Sequence, residues 1–98
     1  MTHVWRDASG RLTIDVEGIA SLEYPSVCRR IAEAFALSPA GEPLVGPDEL
    51  FWTFRRGDLA IDLDWDVWNE FMIVARRAEA ESLVTEIANW VRASGGGR

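Results

Sequence analysis

The tightest constraint on this chain lies in residues 50–65, where Leu50, Trp52 and Phe54 alternate with other residues, Arg56-Gly57 interrupts, and Leu59, Ile61, Leu63 and Trp65 alternate again. A period of two places every apolar side chain on one face of a strand. A two-residue break folds two such strands back on each other as a hairpin. With Arg56-Gly57 as the loop, Phe54 pairs with Leu59, Trp52 with Ile61 and Leu50 with Leu63, so all six share a face. Phe51 then points to the opposite face, beside Asp62.

The flanking segments extend the sheet. Asp7-Ala8-Ser9-Gly10 suits a type I turn followed by a left-handed glycine, and it joins Val4-Trp5 to the alternating Leu12, Ile14 and Val16. Trp5 faces the core or the open side according to that hairpin's register. Asp66 to Asn69 turns the chain into Glu70–Ala75, whose short connection demands a further antiparallel strand. Two amphipathic helices are predicted. The first opens at Pro25, carries Val27, Ile31, Ala34 and Phe35 on one side, and ends at Ser38-Pro39. The second runs from Ala78 to Ala93 with the stripe Leu83, Val84, Ile87, Trp90 and Val91, and Glu79 and Glu81 favour its first turn. Ser38 to Glu49 holds three Pro and two Gly and reads as a semi-rigid loop, a crossover or a binding loop. The expected fold is α+β: one mainly antiparallel sheet in the order ββαβββα, with two helices packed on one face. Residues 1–93 form a single domain and residues 94–98 a flexible Gly-rich tail. Gly10–Glu17 echoes Gly57–Asp64 in residue type, as a duplicated unit or any turn followed by a strand would.

Charge narrows the function. Among 98 residues, sixteen acids oppose ten arginines, with no lysine, for a net charge of −6. That balance disfavours nucleic acid as a partner, since phosphate contacts need clustered positive charge. No apolar run has the length of a membrane span and the N-terminus lacks a signal pattern, so the expected partner is not a membrane. Cys28 is the only cysteine, which excludes an intrachain disulfide and fits a cytoplasmic location.

Asp58, Asp62, Asp64, Asp66 and Glu70 contribute −5 within one short stretch. Asp62, Asp64 and Asp66 have the spacing that opens a calcium loop, but Val67 stands where its glycine belongs and Ile73 where its bidentate glutamate belongs. On a strand these carboxylates form an exposed acidic stripe, so no metal and no cofactor is expected. Asp62 and Asp64, about 7 Å apart at about 3.3 Å per residue, could act as a general acid and base if a deep cleft held them. Cys28, beside Arg29 and Arg30, could act as a nucleophile, yet His3 is the only histidine and has no spacing to serve it. A small enzyme using Cys28 or the Asp62/Asp64 pair is therefore the alternative reading. Arg56-Gly57-Asp58 resembles an adhesion tripeptide by chance.

Five tryptophans are the other oddity. Trp52, Trp65 and Trp90 fall on core-facing positions, whereas Trp68 lies in a turn beside the acids. If both helices cover one face, the other carries Phe51, Thr53, Ala60, Asp62 and Asp64, and aromatic groups among carboxylates make a protein-contact surface. The leading expectation is a non-catalytic interaction module. Its site is Phe51, Asp62, Asp64, Asp66 and Trp68, and its partner a basic protein or a second copy of itself. The profile is similar to that of small acidic immunity proteins that neutralise basic toxins, an analogy without a matched motif.

Overall fold

In the computed structural model, which describes residues 2–94, the long hairpin is the frame of the sheet. Gly57 has φ +60°, and it leads a two-residue Gly57-Asp58 turn between Glu49–Arg56 and Leu59–Asp66. A glycine with positive φ at the first central position matches the twist of the flanking strands. The turn thus begins one residue later than the sequence predicts. Pairing slides by two residues, to Phe54 with Ile61, Trp52 with Leu63 and Leu50 with Trp65. A slip of two preserves the faces, so the apolar assignment stands while Phe51 moves opposite Asp64.

The strands are β1 (Thr2–Arg6), β2 (Leu12–Val16), β3 (Ser38–Pro39), β4 (Leu44–Val45), β5 (Glu49–Arg56), β6 (Leu59–Asp66) and β7 (Glu70–Ala75). They form one antiparallel sheet in the order β1-β2-β7-β6-β5-β3, and β4 also pairs with β5. The β1–β2 turn forms as predicted. Gly10 has φ +79°, and one Asp7 carboxylate oxygen accepts from the Ser9 and Arg11 amides at 2.9 Å each. The Pro-rich segment differs from expectation. Its β3 and β4 lie along β5 as an interrupted edge strand, because the Trp52 indole donates to the Gly41 carbonyl at 3.0 Å and the Ala40 amide to Thr53 at 2.9 Å.

The helices α1 (Tyr24–Phe35) and α2 (Glu81–Ala93) cover one face of the sheet, as expected. Between the layers lie Ile14, Val16, Phe54, Ile61, Leu63, Phe71 and Ile73 from the strands, Val27 and Ile31 from α1, and Val84, Ile87 and Val91 from α2. Each large side chain so buried contributes roughly 1.5–3 kcal/mol before entropy is subtracted. The Tyr24 hydroxyl donates to the Leu63 carbonyl, anchoring the start of α1 on the sheet. Helix α1 stops at Phe35, short of Ser38-Pro39, because Ala36 turns left-handed at φ 55°. The Ser94 amide donates to the Trp90 carbonyl at 3.0 Å and closes α2, and the predicted tail beyond it lies outside the described residues. No helix among the described residues is long and apolar enough to cross a membrane.

Candidate functional site

The face away from the helices is assembled row by row from the register. One row runs Trp5, Thr13, Val74, Asp62, Thr53, and the next runs His3, Asp15, Met72, Asp64, Phe51, Leu44. Trp5 therefore points to the open face, where its indole donates to Asp15 at 2.9 Å, and His3 lies 3.5 Å from the same carboxylate. The middle of the face is shielded by its own neighbours: Thr13, Asp15, Met72 and Val74 are buried although no helix lies over them.

This shielding changes the role of the acids. Asp62 accepts from Arg76 at 3.1 Å and from the Thr53 hydroxyl at 2.6 Å, so its charge is answered within the sheet. Asp64 is only 9% exposed, and its Oδ1 is buried with no hydrogen-bond partner. Burial first, then the neighbouring charges of Asp62 and Asp66, push its carboxyl from the ordinary 3.8 up to about 8, while the Trp52 amide and Arg76 pull the other way. Asp66 serves the backbone. Its Oδ1 accepts from the Trp68 amide at 2.9 Å and the Asn69 amide at 2.6 Å, and its Oδ2 from the Asn69 side chain at 3.3 Å. The exposed acidic stripe expected from strand alternation is therefore corrected. Asp62 is paired, Asp64 is buried, and Asp66 shapes a turn.

Phe51 and Trp68 do reach solvent, and they reach it at one corner. The Val67 amide donates to the Asp48 carbonyl at 3.2 Å, which ties the β6–β7 turn to the β4–β5 turn. Of the seven large apolar side chains that are exposed among the described residues, five sit here: Leu44, Val45, Phe51, Val67 and Trp68. Leu44 lies opposite Phe51 on the open face, and Val45 lies opposite Leu50 on the other face, so the patch wraps around the sheet edge. Trp68 is 74% exposed on the turn that Asp66 holds. Asp48 and Glu49 flank the patch, and Glu49 pairs in register with Asp66. The sequence reading missed Leu44, Val45 and Val67. An apolar pair inside a Pro/Gly-rich segment was the available signal.

Neither element of the alternative reading has an open site. Cys28 is fully buried, and burial pushes its thiol up to about 12 despite nearby Arg29, so the flanking arginines do not activate it. Asp62 and Asp64 lie two residues apart on the sheet, in a shielded face rather than a deep cleft. Among the described residues no cluster of His, Cys, Asp and Glu is placed to hold a metal ion. Comparison with known proteins finds no matching family model, no matching curated protein and no matching solved structure.

Proposed function

We propose that this chain is a non-catalytic interaction module that binds a basic protein through the corner carrying Phe51 and Trp68. The observation that carries the reading is the collection of Leu44, Val45, Phe51, Val67 and Trp68 in one place, with Asp48 and Glu49 at its rim. Exposed apolar side chains scattered singly are ordinary, whereas a contiguous patch with a polar rim is the usual form of a contact site. Trp68 has the character of an anchor, because Asp66 holds the backbone of its turn and little loop freedom remains to be lost on binding.

Charge favours a basic partner over a second copy. Two copies each carrying −6 repel, and the carboxylates at the rim oppose like surfaces. A basic partner gains from the same field, which speeds encounter and makes it depend on salt.

The test compares wild type with Trp68→Ala and Phe51→Ala, each immobilised and exposed to soluble protein from its native cells, with Leu22→Ala as the exposed control outside the patch. A basic protein retained by wild type and Leu22→Ala, and lost from both patch variants, supports the reading. Equal retention on all four overturns it.

A further inference from the structure

The opposite end of the open face carries positive charge. In the row beyond Trp5 and Thr13, Arg11 precedes β2, Arg76 follows β7 with its amide bonded to Ala60, and Ala60 pairs with Arg55. These side chains, joined by Arg77, line a pocket of about 660 Å³ with Asp58, Leu59, Ala60, Glu79 and Ala80. The pocket thus gathers four of the ten arginines of a chain whose net charge is −6. Leu59, Ala60 and Ala80 bring only short or apolar side chains to the lining, which leaves room between the guanidiniums.

The pairing pattern indicates what the room is for. Arg76 is engaged by Asp62 at 3.1 Å. Among the described residues Arg11, Arg55 and Arg77 have no carboxylate within ion-pair distance, although Asp58 and Glu79 share their pocket. Three arginines that line one pocket outside any ion pair, with only two carboxylates beside them, make an arrangement that a bound oxyanion completes. The planar fork of arginine matches phosphate with two parallel hydrogen bonds. The two carboxylates repel a bare anion but accept hydrogen bonds from hydroxyl groups beside it. Ala60 and Asp66 are six residues apart on β6, about 20 Å at about 3.3 Å per residue. This exceeds the roughly 8 Å screening length of physiological salt, so the acidic corner does not cancel the pocket.

We propose that this pocket binds a hydroxyl-bearing phosphate monoester, with Arg11, Arg55 and Arg77 holding the phosphoryl group and Asp58 and Glu79 accepting from its hydroxyls. A sugar phosphate and a nucleoside monophosphate share this chemistry. The site is separate from the contact corner and does not depend on it.

Titration calorimetry with ribose 5-phosphate, AMP, inorganic phosphate and ribose tests the proposal. Both esters bind, inorganic phosphate binds more weakly, and ribose alone does not bind. The tighter ester identifies the source. Arg55→Gln and Arg77→Gln, each confirmed folded by circular dichroism, weaken ester binding by about tenfold or more, as expected for a lost charge-assisted pair, while Arg29→Gln on α1 leaves it unchanged. Asp58→Ala with Glu79→Ala, which removes both acceptors, abolishes the preference for ester over inorganic phosphate. The proposal is overturned if the esters bind no better than ribose, if Arg55→Gln and Arg77→Gln bind as wild type, or if Arg29→Gln weakens binding equally. An ester preference that survives Asp58→Ala with Glu79→Ala overturns the hydroxyl assignment.

Discussion

Replacing Asp64 with asparagine should remove most of the pH dependence of this protein's stability between pH 4 and pH 8. In the folded chain the Asp64 carboxyl is pushed up to about 8, mainly by burial, whereas the ordinary value is 3.8. Between those values the unfolded chain gives up the proton and the folded chain keeps it. The unfolded state then binds fewer protons, so stability falls as pH rises, by about 1.4 kcal/mol per pH unit. Below the ordinary value Asp64 is neutral in both states and imposes no penalty, and above about 8 the penalty is complete and flat. From pH 5 to pH 7 the loss is about 3 kcal/mol, a large share of the ~5–15 kcal/mol that holds a small domain folded. Asparagine has nearly the same shape and carries no proton to lose. Urea unfolding at pH 5, 6 and 7, followed by tryptophan fluorescence, reads the effect. With a denaturant slope of about 2 kcal/mol per molar, the wild-type midpoint falls by about 1.5 M across that range. The Asp64→Asn midpoint stays nearly level and exceeds wild type at pH 7. If the variant shows the same fall as wild type, the burial argument for Asp64 is wrong.

Two further outcomes follow, one from the interior and one from the end of α1. The Cys28 thiol, fully buried and pushed up to about 12, resists alkylation in the native protein at neutral pH and reacts once denaturant is added; rapid native labelling, read by mass spectrometry, would reopen the nucleophile reading. Ala36→Gly relieves the left-handed conformation that ends α1 and raises stability by about 0.5–1 kcal/mol, since the cost of a Cβ there is larger than glycine's extra unfolded-state entropy. An unchanged or lower melting temperature would contradict that account.

Much of the fold was legible because a period of two is hard to imitate. The runs Leu50–Phe54 and Leu59–Trp65 specified two strands and their buried face, and an error of two in register left that face intact. The edge strands β3 and β4 were not legible. Each is two residues long, too short to show a period of two; β4 pairs with β5 across a short turn, Val45 opposite Leu50, and β3 is held farther along the chain by Pro39 opposite Phe54 and by the Trp52 indole on Gly41. The site was legible in part. Alternation placed Phe51, Asp62 and Asp64 on the open face, but alternation carries no information about what shields a side chain once the sheet is built. Asp62 meets Arg76 from the neighbouring strand's end, and Asp64 lies between Phe51 and Met72 in its row. Both carboxylates are withdrawn from solvent by partners that the local sequence does not show. The aspartate nearest the exposed tryptophan was singled out for its charge, whereas its role is to hold the turn on which Trp68 stands.

The most direct test of the contact corner is photo-crosslinking from inside it. A photoreactive residue is placed at position 68, or at position 51, in the chain expressed in its native cells, with position 22 as the exposed control outside the patch. The account predicts a discrete adduct to one basic protein from positions 68 and 51, weakened by added salt in lysate and absent from position 22. No adduct from either patch position, or the same adduct from position 22, would contradict it.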